Sequence, residues 1–238
     1  MEEKQVDNHL SRHSNTHKLI VNVSPITRYH SLLCPSVNNN LPQWVTEDSL
    51  RLVLEVMFLA QDRNLRIGFN SLCAMASVNH LHYHLFLENH DLPVENIKCT
   101  QIKGPLYAFD ETYPIPAFCF EVPSPQSING ISKEIYKLIE HLLKNCIAHN
   151  IFITRGSNLV PGEQNLEIIR IIIWPRKSSP KPKILTTFYV GLCELSGWFP
   201  VYSQNDYDKL RTDDLEIELS KWKIDNFSRL CDQVGLLY

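Results

Sequence analysis

The sequence has no Cys-x-x-Cys pair, no apolar run of the roughly 18–20 residues that a bilayer-spanning helix needs, and no strong excess of charge of one sign. Its seven cysteines are scattered singly, and such an odd, dispersed set fits a reducing compartment better than a disulfide framework. A net charge of -3 gives no sign of a nucleic-acid or membrane surface. These absences predict a cytoplasmic protein with no nucleic-acid or membrane partner.

The composition that remains, 44% hydrophobic and 21% charged, is that of an ordinary globular protein. Residues 1–17 are polar and predict a disordered tail. A turn-rich break over residues 124–130 separates segment 18–123 from segment 124–238. Each segment mixes short strands with helices, so the sequence predicts an α+β fold of two similar halves, built from antiparallel sheet and helices.

Apolar spacing and turn residues place the individual elements. Thr46 is predicted to cap a helix that runs to about Ala60, and Ser132 to cap a second helix over 133–146. Gly197 is predicted to end a short helix at the end of 186–195. Residues 206–223 are predicted to be helical. Strands are predicted at 18–23, 30–35, 67–70, 79–87, 118–122, 150–154 and 166–174.

The richest stretch for function is 68–86, which is small and polar at its start and ends in three histidines spaced two apart, His80, His82 and His84. On a β-strand that spacing would place the three imidazoles on one face. One interpretation is a zinc site, with further ligands from elsewhere in the chain. A second is structural, with buried histidines bonded to backbone carbonyls.

The third interpretation is nucleophilic catalysis on phosphorus. A neutral imidazole is a good nucleophile near pH 7, provided that its second nitrogen is held as a donor. A loop of small residues can bring backbone N–H groups to phosphate oxygens, and flanking histidines can stabilise the developing charge. Loop and histidines are adjacent in this sequence, which favours the catalytic interpretation.

The run His80-Leu-His82-Tyr-His84-Leu-Phe resembles the motif of the histidine triad superfamily, in which apolar residues alternate with three histidines. The Ser-Pro turn at 24–25, followed by His30, an apolar run and Pro35, is similar to the superfamily's early hairpin. The resemblance implies an antiparallel sheet with helices.

Within that superfamily, residues 18–215 resemble the GDP-D-glucose phosphorylase family, relatives of the plant GDP-L-galactose phosphorylases. The resemblance lies in segments 68–82, 149–156 and 174–176 and in the Cys-Glu-Leu-Ser-Gly run that ends at Gly197. It implies a reaction of GDP-D-glucose with inorganic phosphate to give GDP and glucose 1-phosphate. No metal or other cofactor is required.

The resemblance also implies residue roles. His82 would attack the α-phosphorus and form a guanylyl-histidine, His80 would orient His82 through its backbone carbonyl, and His84 would contact phosphate oxygens. Ser77 would do the same, Asn70 would help to hold the loop, and Asn22 occupies the superfamily's ribose-binding position. Arg155 and Arg176 could reach a sugar or a phosphate, but exposed loop arginines are usually solvated, so we interpret both as solvated loop residues and leave them out of the site. The expected partners are a GDP-hexose and phosphate, and a homodimer is one option for the assembly.

Two departures from the family pattern lead to further expectations. Tyr29 replaces the glycine that the family has before the hairpin histidine, and a bulky side chain fits a tight turn poorly. About 18 polar residues precede the hairpin where the family has a substantial segment, so we expect an N-terminally shortened chain with an unpaired sheet edge. The alternatives left open are a histidine-triad nucleotide hydrolase and a non-catalytic nucleotide-binding paralogue.

Overall fold

The computed structural model describes residues 16–160, 168–179 and 189–238. Its strands form one antiparallel sheet in the order β1-β2-β4-β3-β8-β9-β7-β6-β5. The bounds are β1 Lys18–Val21, β2 Ser31–Cys34, β3 Leu65–Asn70, β4 Tyr83–Leu87, β5 Cys99–Lys103, β6 Leu106–Phe109, β7 Phe118–Val122, β8 His149–Gly156 and β9 Ile168–Pro175. The predicted α+β class with an antiparallel sheet is confirmed.

Six α-helices accompany the sheet in the described residues, together with short 3-10 turns at Val37–Asn39, Pro93–Glu95 and Pro125–Ser127. The helices are α1 Glu47–Leu59, α2 Ile128–Lys144, α3 Leu192–Leu195, α4 Gln204–Tyr207, α5 Thr212–Ser220 and α6 Phe227–Gly235. None of the helices in the described ranges is long and apolar enough to cross a lipid bilayer.

The sheet is covered on both faces. Helices α1, α2 and α6 contribute to one hydrophobic cluster, together with Leu81, Tyr83 and Leu85 around β4. The opposite cluster contains Phe86 of β4, and is closed by α3, α5 and the segments before β5 and β7. The alternation at β4 therefore sends Tyr83 and Leu85 into the first cluster and directs His84 and Phe86 toward the second.

Local signals explain both the correct and the wrong element boundaries. Thr46 caps α1 as predicted, because its hydroxyl accepts from Ser49 N at 3.1 Å while the Ser49 hydroxyl accepts from Thr46 N. The prediction that Ser132 begins the second helix is wrong, since α2 begins at Ile128 directly after a 3-10 turn. Ser132 is buried inside the helix, with its hydroxyl directed to Asn129 O.

The strand predicted over 79–87 is also too long at its start, since β4 begins at Tyr83. Its hydrogen-bonded neighbours set this limit, because β2 pairs with it only from Tyr83 and β3 only from His84. His80 and His82 therefore precede the strand and only His84 lies in it. Gly197 does follow α3 as predicted, with a φ of +87 that favours glycine.

The proposed division at residues 123 and 124 lies in the turn between β7 and α2. Strands from both sides of it share the sheet, because β3 pairs with β8 and β7 pairs with β9. The division into segments 18–123 and 124–238 stays a prediction. The predicted tail lies outside the described residues except for its last two positions.

The hairpin between β1 and β2 contains a strained position at Tyr29, whose φ is +65. Tyr29 is 62% exposed, so a substitution there removes few packing contacts. We expect Tyr29→Gly to raise the free energy of unfolding by about 0.5–1 kcal/mol, since glycine adopts this conformation without steric cost. The loss of the Arg28 guanidinium contact with the Tyr29 ring, 4.8 Å to its centroid, reduces the gain. Urea unfolding measures the change. The matched control is Tyr202→Gly, at an exposed loop tyrosine without positive φ, and an equal gain there would contradict the explanation.

Candidate active site

The central histidine of the triad is buried and oriented by its own chain. His82 is 4% exposed, and its Nδ1 lies 2.8 Å from the backbone carbonyl of His80. A carbonyl only accepts, so Nδ1 carries the proton and Nε2 carries the lone pair. Burial lowers the pKa of His82 below its ordinary value, the hydrogen bond to His80 acting in the opposite direction. His82 is thus a neutral imidazole at pH 7 with Nε2 available for attack.

A fourth histidine, His30, joins the triad from the end of the β1–β2 hairpin. It is 2% exposed, and its Nε2 lies 3.0 Å from Nδ1 of His84. Ile26 N donates to His30 Nδ1 at 3.0 Å, so we assign the His30 proton to Nε2, which donates to His84. His84 then carries its own proton on Nε2. The rings of His82 and His84 are 5.0 Å apart between centroids, so the two imidazoles are neighbours.

The environment keeps His30 neutral. Burial, with a smaller contribution from nearby His82, lowers the pKa of His30 to about 4. In the unfolded chain, His30 takes up a proton and becomes charged near pH 6.5. The folded state therefore gains full stability from neutral His30 above about pH 6.5, and loses it as the pH falls through about 4.

This linkage predicts a difference between the wild type and His30→Asn. The full shift corresponds to about 3 kcal/mol of stability. The stability advantage of the wild type should shrink by that amount between pH 7 and pH 4. Urea unfolding of both proteins at several pH values measures it, and an advantage that stays constant or grows toward low pH would contradict the neutral assignment.

Of the predicted substrate-binding residues, Asn22 contacts the imidazole of His30. Its Nδ2 donates to His30 Nδ1 at 3.4 Å and lies 3.2 Å from the protonated Nε2 without bonding it, and its Oδ1 accepts from Ser24 N at 3.0 Å. It also pairs through its backbone N–H with the carbonyl of His30. The half-buried side chain of Asn22 thus holds the end of the β1–β2 hairpin against the triad.

Asn70 and Ser77 occupy different environments. Asn70 is 8% exposed, and its Oδ1 accepts from Asn150 Nδ2 at 2.6 Å. The same Asn150 amide donates to Ala74 O at 2.8 Å, so the pair anchors the loop that follows β3. Ser77 is exposed on the connection between that loop and His80, where its hydroxyl is accessible to a ligand.

Beneath the loop lies a buried polar network that the sequence did not reveal. Arg176 is 2% exposed, with Nη1 3.3 Å from Asn150 Oδ1 and its guanidinium carbon 4.2 Å from the ring centroid of Trp222. Burial lowers the pKa of Arg176 to about 10, with Glu194 opposing the shift, so the group stays charged at pH 7. Glu194 Oε2 accepts from Gly191 N at 2.9 Å. The solvated interpretation of Arg176 is wrong, because Asn150, the carbonyl of Val190 and the ring of Trp222 surround its guanidinium.

Arg155 also has a structural contact. Its Nη1 donates to Asp62 O at 2.8 Å and its Nη2 donates to Met57 O, at the end of α1. A cation at the carboxyl end of a helix stabilises the last carbonyl groups. For metals, the described ranges contain no group of three or more His, Cys, Asp or Glu side chains arranged to hold an ion.

Three alternating histidines, of which His80 and His82 lead into β4 and His84 lies in it, with the central imidazole oriented by a backbone carbonyl beside an antiparallel sheet, match the pattern of the histidine triad class of proteins. Solved structures agree on the fold. Yeast Ap4A phosphorylase Apa2 in complex with AMP superimposes with a TM-score of 0.63 at 16% identity, covering 86% of this chain and 70% of that one. A second structure of Apa2 gives a TM-score of 0.59 at 15% identity, over 88% and 74% of the two chains.

Sequence comparison places the chain within the class. The model of the GDPGP1-like N-terminal domain matches residues 1–86, and that of the GDPGP1-like C-terminal domain matches residues 107–232. The chain therefore belongs to the GDPGP1-like family, which confirms the resemblance inferred from the sequence.

Curated relatives carry names from the same family. GDP-D-glucose phosphorylase 1 of Xenopus laevis is 38% identical over 201 residues, which is 82% of this chain and 49% of that protein. The human GDP-D-glucose phosphorylase 1 is 36% identical over 81% of this chain and 51% of its own length. GDP-L-galactose phosphorylase 1 of Arabidopsis thaliana is 33% identical over 56% of this chain and 31% of its own length. The chain spans about half the length of the animal relatives it matches.

Proposed function

We propose that the protein is a GDP-D-glucose phosphorylase that transfers GMP from GDP-glucose to inorganic phosphate through His82. The observation that carries the proposal is the 2.8 Å hydrogen bond from His82 Nδ1 to the carbonyl of His80, which leaves the Nε2 lone pair for attack. The curated relatives named GDP-D-glucose phosphorylase 1 support the choice of donor.

The reaction proceeds as two displacements at one phosphorus atom. In the first, His82 Nε2 bonds to the α-phosphorus of GDP-glucose, the bond from that phosphorus to the bridging oxygen breaks, and glucose 1-phosphate leaves. In the second, an oxygen of inorganic phosphate attacks the same phosphorus, the bond to Nε2 breaks, and GDP is released. A covalent intermediate of this kind gives ping-pong kinetics.

The neighbouring groups supply charge stabilisation. His84 holds its proton on Nε2 because Nδ1 accepts from His30, so His84 donates to a phosphoryl oxygen as negative charge develops. Ser77 donates its hydroxyl to the phosphate groups, and Asn22 holds the ribose. Asn70 acts indirectly, by anchoring the loop through Asn150. The sugar phosphate is a good leaving group, so these groups suffice without a metal ion or other cofactor.

A cytoplasmic location, phosphate as the acceptor and a homodimeric assembly are parts of the same proposal. The acceptor is tested by incubating the purified chain with GDP-glucose, with and without phosphate, and quantifying the nucleotide and sugar products. We expect GDP and glucose 1-phosphate in equal amounts with phosphate present, and without phosphate no GDP and at most one glucose 1-phosphate per chain from the first displacement.

The other outcomes of this experiment identify the alternatives. GMP and glucose 1-phosphate formed independently of phosphate would identify a nucleotide hydrolase, in which water discharges the intermediate. Binding of GDP-glucose without either product would identify a non-catalytic nucleotide-binding protein. Either result would overturn the phosphorylase proposal.

A further inference from the structure

The backbone of His82 is held by a side chain that comes from outside the sheet. Gln43 lies before α1 and is 1% exposed. Its Oε1 accepts from His82 N at 3.0 Å, and its Nε2 lies 3.3 Å from His82 O. The same Nε2 donates to Asn70 O at 3.0 Å. One buried amide thus binds the candidate nucleophile and the residue that anchors the adjacent loop.

The Gln43 amide contacts the backbone of His82 just before β4, where strand pairing has ended. The β2–β4 register stops at Tyr83 and the β3–β4 register at His84, so no ladder in the sheet reaches the N–H and C=O of His82. The segment around Gln43 substitutes for a strand there. Leu41 O accepts from Leu81 N at 2.8 Å, and Gln43 N donates to Asn79 Oδ1 at 2.9 Å.

We infer that Gln43 is a positioning residue for the nucleophile. Its amide fixes the peptide groups on both sides of the His82 α-carbon, and these set the angle at which the imidazole bonds the carbonyl of His80. That bond in turn selects the tautomer and the direction of Nε2. The inference rests on the proposed role of His82 as the nucleophile, and it assigns to Gln43 no contact with substrate.

The geometry demands an amide at this position. An acceptor must face His82 N, and donors must face the two carbonyl oxygens of His82 and Asn70. A carboxylate satisfies only the first of these three groups, and an apolar side chain of the same length satisfies none. Because a small displacement of a reacting group lowers a rate steeply, we expect loss of the amide to reduce guanylyl transfer by about 10–100-fold.

The test compares Gln43→Met and Gln43→Glu with Gln101→Met as the matched control, since Gln101 is an exposed glutamine on β5. Nitrogen-15 NMR of the histidine side chains reports the tautomer of His82, assigned by comparison with His82→Asn. Rapid-quench kinetics report the rate of guanylyl-enzyme formation, and titration reports the affinity for GDP-glucose.

Both Gln43 variants should lose the single Nδ1–H tautomer of His82 and transfer GMP about 10–100-fold more slowly, with GDP-glucose affinity changed less than about twofold. Gln101→Met should match the wild type in all three measurements. Unchanged His82 signals in a folded Gln43 variant would overturn the inference. If the methionine variant does not fold, the glutamate variant is used for the same measurements, because it keeps the hydrogen bond to His82 N. The tautomer readout needs no turnover, so an inactive wild type would count against the proposed function alone.

Discussion

Replacement of His82 by asparagine is expected to reduce turnover of GDP-glucose by about 10³-fold or more, because it removes the proposed nucleophile. Asparagine retains a short amide donor that can reach the carbonyl of His80, so the fold should change little. We expect the free energy of unfolding to stay within about 1 kcal/mol of the wild type.

The matched control for this substitution is His90→Asn. His90 lies in an exposed loop and contacts Glu88 at 2.7 Å, away from the triad. It should keep wild-type activity, which excludes a general effect of losing a histidine. Equal activity of His82→Asn and the wild type would contradict a catalytic role for His82, because the asparagine side chain cannot act as the nucleophile in its place.

Neutralisation of Glu95 is expected to have the largest effect on stability. Glu95 is 4% exposed and its Oε1 lies 2.8 Å from Arg66 Nη2, in an ion pair whose side chains are both nearly inaccessible. The Thr154 hydroxyl donates to the same oxygen at 2.6 Å, and Leu92 N donates to Oε2 at 3.1 Å. Glu95→Gln leaves the Arg66 cation buried without its counter-ion, which costs about 3–5 kcal/mol.

Urea unfolding of Glu95→Gln measures that loss. The control is Asp91→Asn, which removes the carboxylate of an exposed pair with Arg63 at 3.8 Å. Exposed pairs contribute about 0–1 kcal/mol, so the control should be nearly as stable as the wild type. Similar losses in the two variants would show that burial does not set the strength of the Arg66–Glu95 pair.

Local patterns predicted those parts of the fold that neighbouring residues determine. The cap at Thr46 and the turn at Gly197 depend on contacts a few residues away, and both are confirmed. The start of β4 was wrong because it depends on where β2 and β3 stop pairing, which no local pattern encodes. The β5–β6 hairpin and α6 were missed for other reasons, since half-exposed β5 shows no clear apolar alternation and the 9 residues of α6 span few helical turns.

The sequence likewise predicted some residues of the candidate site and missed others. The spacing of His80, His82 and His84 is a local motif, and it predicts His82 as the nucleophile from the sequence. His30 and Gln43 were missed as site residues because they reach the triad from 54 and 39 positions away along the chain. Arg176 reads as a loop residue after a proline, and only the packing of Trp222 against it reveals a buried cation.

The central claim, that His82 carries GMP between the two substrates, is tested most directly by trapping the intermediate. The protein is mixed with GDP-glucose labelled at the α-phosphorus, in the absence of phosphate, and the adduct is mapped by mass spectrometry of its peptides. The claim predicts one GMP per chain on His82, discharged as labelled GDP when phosphate is added. Absence of an adduct in a protein that still releases GDP, or an adduct on another residue, would contradict it.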